Sequence, residues 1–145
     1  MQKPKIVYIL GSGRSGSTIL DMLLGNHEDM ESFGELANIA TAGWINNEYC
    51  SSGVRVNDST FWNNVKSKFL EKSNDENTIV KFAAFTKAIN KKENILKHFF
   101  QRKLPLHLKN DFLFLNECLF ESLVEVTGKS VIVDSSKMPL RGEML

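Results

Sequence analysis

A loop of glycine and hydroxyl residues near the start of the chain has the composition of an anion-binding site. Residues 11 to 18 are Gly-Ser-Gly-Arg-Ser-Gly-Ser-Thr. The glycines allow positive φ and close approach of a ligand, and the hydroxyl groups add hydrogen-bond donors. Ser17 and Thr18 precede an apolar run, so the loop leads into a helix whose first N–H groups lie at the positive end of its dipole. We therefore predict a phosphate-type cradle at residues 13 to 18.

Two further groups of polar residues could complete such a site. Glu35 follows a Phe33-Gly34 turn and is a candidate general base, because a carboxylate near the carboxyl edge of a sheet can reach an acceptor hydroxyl. Ser135, Ser136 and Lys137 leave a second apolar strand at the edge where ligands of open α/β sheets bind. We expect Lys137 to contact a ligand bound at this edge, either the donor or the acceptor of a transferred group.

Two strands must position these residues. Residues 5 to 10 and 130 to 134 are short, continuous apolar runs of the kind that lies inside a parallel sheet. A mostly helical segment, about 36 to 128, joins them. The predicted fold is therefore α/β, a P-loop NTPase-like parallel sheet with flanking helices. Residues 29 to 33 are too polar and short for a central strand and are interpreted as part of a polar connection.

The helical segment contains several boundary signals. A helix stop is expected at Gly25-Asn26, and a restart near Glu35 or Leu36. Residues 79 to 101 are predicted to form one or two helices, and the longest helix is expected to end at Gly128. The remaining expected signals are a cap at Asp58, Ser59 or Thr60, an interruption near Asn90, a boundary at Pro105 and a cap at Asn110 or Asp111.

A sheet of two parallel strands is not stable alone. Residues 1 to 145 are therefore expected to form one domain and to be the N-terminal part of a longer one.

Overall composition limits the partners. Eighteen basic residues against seventeen acidic ones leave a formal charge of +1, so bulk attraction to nucleic acid or an anionic membrane is not implied. Two cysteines are too few for a disulfide framework and lack metal-ligand spacing. No apolar run approaches the ~20 residues of a membrane helix. A cytoplasmic location without a membrane span is the expectation.

Three interpretations of the loop compete. Gly11, Gly13 and Gly16 fit the dinucleotide fingerprint, but no apolar second strand ending in an acidic residue follows. Gly11 and Gly16 also fit a nucleoside-triphosphate P-loop with Thr18 as its hydroxyl residue, except that Ser17 stands at the lysine position. Because that lysine neutralises the outer phosphates, Mg²⁺-dependent hydrolysis of ATP or GTP is disfavoured.

The third interpretation uses the residues as they stand. Residues 9 to 18 resemble the 5′-phosphosulfate loop of sulfotransferases that use 3′-phosphoadenosine 5′-phosphosulfate (PAPS), especially the tyrosylprotein and bacterial branches. Residues 24 to 27 and 33 to 36 are similar to that family's helix end and Gly-Glu element. Similarity to the bacterial branch extends to Cys50-Ser51-Ser52-Gly53, Phe61-Trp62 and the segment from Val131 to Lys137.

The resemblance implies a donor, a product and residue roles. PAPS would be the donor and 3′,5′-adenosine diphosphate (PAP) the product, with no metal required and a small-molecule, glycan or peptide acceptor. Arg14 would stabilise charge on the transferring group, and Glu35 and Lys137 would complete the catalytic set. The implied donor-binding residues are Gly13, Arg14, Ser15, Gly16, Ser17, Thr18, Ser135 and Ser136.

The chain departs from the family pattern in two places. Glu35-Leu36 stands where tyrosylprotein members have two adjacent glutamates, and no strand bearing the arginine and serine of the 3′-phosphate site precedes Leu145. Two alternatives therefore stay open. One is a nucleotide-binding P-loop protein of kinase type, and the other is a non-catalytic module that retains the loop as architecture.

Overall fold

Three short parallel strands form one sheet. The computed structural model describes residues 3–89 and 106–145 of the chain. Strands β1 (Lys5–Tyr8), β2 (Met30–Ser32) and β3 (Val131–Asp134) have the order β1-β3-β2. The register pairs Tyr8 with Asp134 and Ser32 with Val133. The fold is α/β, as predicted, and the carboxyl ends of all three strands meet at one edge.

Helices surround this sheet and fill the long connection between β2 and β3. The first, α1, follows the glycine loop, and the last, α5, follows β3. The helices are α1 (Ser17–Gly25), a 3₁₀ turn (Leu36–Asn38), a π-helix (Ile39–Ile45), a second 3₁₀ turn (Val56–Asp58), α2 (Thr60–Ser73), α3 (Thr78–Ile89), α4 (Leu106–Thr127) and α5 (Pro139–Met144).

Most predicted boundaries are confirmed. The helix after the loop begins at Ser17 and ends at Gly25-Asn26. The Ser59 side chain accepts a hydrogen bond from the Trp62 N–H and caps α2, which is one of the three predicted caps. Gly128 ends α4 with a φ of +72°. Helix α4 begins at 106 and not at the predicted cap near 110, so the first turn was missed.

Three expectations need correction or fall outside the described residues. The prediction that residues 29 to 33 belong to a connection without a strand is wrong, because β2 pairs with β3 there. An edge strand is paired on one side only and needs no continuous apolar run. The helix expected from Leu36 begins as a 3₁₀ turn and continues as a π-helix. In the 79 to 101 segment, α3 is observed, whereas the predicted features at Asn90 and Pro105 lie outside the described residues.

The core lies between the helical middle of the chain and the sheet. Helices α2 and α4 pack side by side, and an aromatic series crosses the core from the π-helix through α2 and α3 to α4. Neighbouring ring centroids in this series are 5.2 to 6.3 Å apart. The four rings are those of Trp44, Phe69, Phe82 and Phe112.

Helix α1 is oriented with its polar residues inward. Ser17 and Asp21 are buried, whereas Ile19, Met22 and Leu23 are about two-thirds exposed. The inner face meets β2, where the Ser32 hydroxyl donates to the Asp21 carboxylate. No helix in the described part of the chain has both the length and the apolar character needed to cross a bilayer.

Candidate functional site

The loops that leave the three strands lie side by side at the carboxyl edge of the sheet. The Ile9 N–H donates to the Asp134 carbonyl at 2.9 Å, and the Phe33 N–H donates to the Val133 carbonyl at 3.3 Å. The Ser135 N–H in turn donates to the Gly34 carbonyl at 2.9 Å. Backbone hydrogen bonds therefore fix the loops that carry the glycine sequence, Glu35 and Lys137 relative to one another.

The glycine loop turns through two left-handed backbone positions. Gly16 has a φ of +78° and Arg14 a φ of +63°. Glycine adopts this conformation at no steric cost, but a residue with a side chain loses about 1–3 kcal/mol there. The Ile19 and Leu20 N–H groups both donate to the Gly16 carbonyl, and no side chain caps the start of α1. The loop residues 11 to 16 are exposed, so a ligand can approach this helix start.

Two residues predicted to be catalytic meet in an ion pair. Lys137 Nζ lies 3.1 Å from Glu35 Oε1. The Asn38 side-chain amide donates to the other carboxylate oxygen, Oε2, at 2.9 Å. Lys137 also has a positive φ, of +60°, in the turn after β3. The carboxylate of Glu35 is therefore held from both sides while its side chain stays partly exposed.

Ser135 and Ser136, predicted to bind the donor, are both buried. The Ser136 N–H and hydroxyl donate to Asp134 Oδ1, and the Ser136 hydroxyl accepts the Ala37 N–H at 2.9 Å. The Ser136 side chain thus joins the end of β3 to the 3₁₀ turn that follows Glu35. Contact of Ser136 with the donor stays a prediction. The hydrogen bonds that Ser136 makes in the structure give its side chain a structural role.

A buried ion pair lies beneath the loop after β3. Asp134 is 0% exposed and Arg141, on α5, is 1% exposed. Arg141 Nε and Nη2 donate to Asp134 Oδ2 at 3.0 and 2.8 Å, and Nη1 donates to Asn116 Oδ1 at 2.6 Å. Since Ser136 occupies Oδ1, both carboxylate oxygens of Asp134 are used inside the fold.

Arg141 and Asn116 were not among the residues predicted from the sequence. The available signal was Asp134 itself, because a carboxylate at the end of a fully apolar strand requires a buried partner. Arg141 lies seven positions further on in α5, and its side chain reaches back to Asp134. Asn116 is on α4 and could not be connected with Arg141 from spacing.

Tyr8, at the end of β1, makes a further set of hydrogen bonds to the loop that follows β3. Its hydroxyl donates to the Met138 carbonyl at 3.0 Å and accepts the Met138 N–H at 2.9 Å. Burial, assisted by the negative charge of Asp134, raises the pKa of Tyr8 to about 12. Tyr8 therefore anchors the backbone directly after Lys137.

The Tyr8 phenol is expected to ionise far above its ordinary pKa of 10.0. In a Tyr49→Phe variant, Tyr8 is the one remaining tyrosine, and the ultraviolet absorbance of phenolate reports its titration. We expect a midpoint near pH 12 in the folded protein and near 10 in urea. Because the folded pKa is the higher one, stability conferred by the neutral phenol is lost as the pH rises between these values. Equal midpoints in both states would contradict this assignment.

A cleft of about 830 Å³ opens between α1, the segment after β2 and the start of α2. Thr18 from the glycine loop and Glu35 both line it. Asp21, which sequence analysis did not consider, lines it as well and is 7% exposed. Asp21 is the one charged residue in α1, so its position within an apolar helix was the signal that could have found it.

Comparison with known proteins adds nothing to this geometry. No known protein family, curated protein or solved structure matches the chain. Among residues 3–89 and 106–145, no three His, Cys, Asp or Glu side chains are grouped so that they could hold a metal ion.

Proposed function

We propose that the protein is a sulfotransferase that moves the sulfuryl group of PAPS to an acceptor hydroxyl or amine. The observation that carries the proposal is the 3.1 Å ion pair between Glu35 and Lys137, which lies at the same sheet edge as the Arg14 loop. A base, a cation and an anion-binding helix start are the three elements that in-line transfer of a charged group requires.

The proposed mechanism assigns one task to each group. The N–H groups of residues 13 to 18, with the Ser15, Ser17 and Thr18 hydroxyls, hold the 5′-phosphate of the donor. Glu35 removes the proton from the acceptor oxygen as that oxygen bonds to sulfur. The bond from sulfur to the phosphate oxygen breaks at the same time, and 3′,5′-adenosine diphosphate leaves. Arg14 stabilises the charge on the leaving oxygen.

Lys137 acts through Glu35 and through its own charge. Its ammonium group orients the Glu35 carboxylate at 3.1 Å, and it adds positive potential where the sulfuryl group transfers. Ser135 and Ser136 contribute to the donor site by fixing the loop from which Lys137 projects.

Strand order and Asp134 support a P-loop-like interpretation over the dinucleotide one. In both common doubly wound nucleotide-binding folds, the second strand lies beside the first. Here β3 separates β2 from β1. Asp134, the acidic residue after an apolar strand that a magnesium-dependent NTPase would use, instead forms the buried pair with Arg141. Together with Ser17 in place of lysine, this favours a sulfuryl donor over a nucleoside triphosphate.

Calorimetry on the full-length protein tests the proposal against a kinase-type function. We expect 3′,5′-adenosine diphosphate to bind more tightly than ATP with Mg²⁺ and to need no metal. Replacing Ser17 and Thr18 with alanine should weaken this binding, whereas the control Ser67→Ala, on an exposed position of α2, should not. A preference for ATP that depends on Mg²⁺ would contradict the proposal, and so would binding of neither nucleotide, the result expected of a non-catalytic module.

A further inference from the structure

The cleft beside the glycine loop has an acidic lining. Among the described residues that line it, four are carboxylates, and none is lysine, arginine or histidine. One of the four, Glu35, is neutralised by Lys137, which leaves three without a paired cation in that lining. These three are Asp21, Glu31 and Glu48. The potential inside the cleft therefore favours positive ligands and opposes negative ones.

Aromatic rings form one wall of the same cleft. Phe33 and Phe61 stack with ring centroids 5.8 Å apart and an interplanar angle of 13°. Trp62 meets Phe61 edge-on at 5.1 Å and Phe33 at 5.9 Å. All three side chains are half-buried and line the cleft. Faces of aromatic rings attract organic cations and also bury an apolar body.

Asp21 provides an independent sign that a ligand completes the cleft. Its Oδ2 atom accepts a hydrogen bond from the Ser32 hydroxyl at 2.5 Å. Its Oδ1 atom is enclosed and has no hydrogen-bond partner in the described part of the chain. Burial of a carboxylate oxygen is unfavourable unless a donor meets it. An ammonium group carries three N–H donors and a positive charge, so it matches this oxygen in both respects.

We propose that the cleft binds an organic cation, a molecule with an ammonium group and an apolar or aromatic body. The ammonium group lies in the cleft beside Asp21, whose negative charge attracts it, and the body lies against Phe33, Phe61 and Trp62. Since Thr18 and Glu35 line the same cleft, a ligand of this class that also carries a hydroxyl group is the acceptor of the transfer reaction, and the hydroxyl is the reacting group because an ammonium group has no free electron pair. That last step rests on the proposed function, whereas binding of the cation does not.

Three probes of matched shape test the charge preference: 2-phenylethylamine, 2-phenylethanol and 3-phenylpropanoate. They share a phenyl body and differ in carrying a positive, neutral or negative end. Calorimetry on the full-length protein should give the amine an affinity about tenfold above that of the alcohol, with the carboxylate weakest. Equal affinities, or tightest binding of the carboxylate, would overturn the inference.

Substitutions identify the group that selects the charge. Asp21→Asn keeps the shape and an acceptor for Ser32 but removes the charge, so it should abolish the preference for the amine while retaining alcohol binding. Glu48→Gln, at an exposed position of the cleft, should lower amine affinity by a smaller factor whether or not the Asp21 variant folds. The control is Glu117→Gln, an exposed carboxylate on α4 that does not line the cleft. Loss of amine preference in the control as well, or in neither of the two cleft variants, would contradict the assignment.

Nucleotide binding measured on the same samples separates this inference from the proposed function. If the amine is preferred but 3′,5′-adenosine diphosphate does not bind, the sulfotransferase proposal fails and the cation site stands. If the nucleotide binds but the three probes do not follow the order of their charge, the cation site alone fails.

Discussion

Replacing Arg14 with alanine is expected to lower turnover with PAPS by about 10²–10³-fold, the usual effect of removing one preorganised donor to developing charge. The affinity for 3′,5′-adenosine diphosphate should change much less, because the backbone N–H groups of residues 13 to 18 remain. Formation of 3′,5′-adenosine diphosphate, followed by chromatography, measures turnover, with 2-phenylethanol as the acceptor probe.

Two companion variants separate charge from backbone strain. Arg14 has a φ of +63°, which glycine adopts without steric cost, so Arg14→Gly relieves strain while removing the charge. We expect it to be as slow as the alanine variant. Lys87→Ala removes one positive charge from an exposed position of α3 and should leave turnover unchanged. Unchanged turnover in both Arg14 variants would remove this residue from the mechanism.

Arg141→Met is expected to lower the free energy of unfolding by about 3–5 kcal/mol, because it leaves the buried Asp134 carboxylate without its cationic partner. Asp134 is fully buried at the end of the central strand, and Arg141 and Ser136 each donate two hydrogen bonds to it. The loss should also loosen the turn that carries Lys137. Urea denaturation followed by circular dichroism measures the change.

The exposed pair of Lys81 and Asp75 provides the control for this substitution. Both residues of that pair are accessible to water, and solvent-exposed ion pairs contribute little. Lys81→Met should therefore leave the urea midpoint nearly unchanged. Adding Asp134→Asn to the Arg141 variant removes the buried charge and should recover part of the lost stability. If Arg141→Met were no more destabilising than Lys81→Met, the buried pair would not hold this loop.

The loop, the start of α1 and strand β3 could be predicted because their residues carry local information. Gly16 permits the left-handed turn, Ser17 begins the helix, and the apolar run to Asp134 has the composition of a buried parallel strand. Lys137 could be placed at the carboxyl edge because it follows a predicted strand, whereas Glu35 was placed near that edge as the residue after the Phe33-Gly34 turn, without the strand β2 that precedes it. Their direct contact could not be predicted, because it depends on register between segments 102 positions apart.

The remaining features depend on tertiary contacts. Strand β2 has a polar sequence and forms because β3 offers it a free edge. Asp21 stands out as the one charged residue of an apolar helix, but its sequence position does not show that it faces inward against Ser32, which reverses the usual orientation. The contact of Arg141 with Asn116 joins α5 to α4 and has no spacing signature.

Nuclear magnetic resonance of the ¹⁵N-labelled protein titrated with 3′,5′-adenosine diphosphate tests the central claim most directly, because it detects weak binding and locates it. We predict that the largest amide shifts occur at residues 13 to 18, with smaller shifts at Glu35 and Lys137, and that they need no metal. Shifts confined to other parts of the chain, or larger shifts at the same residues with ATP and Mg²⁺, would contradict the account.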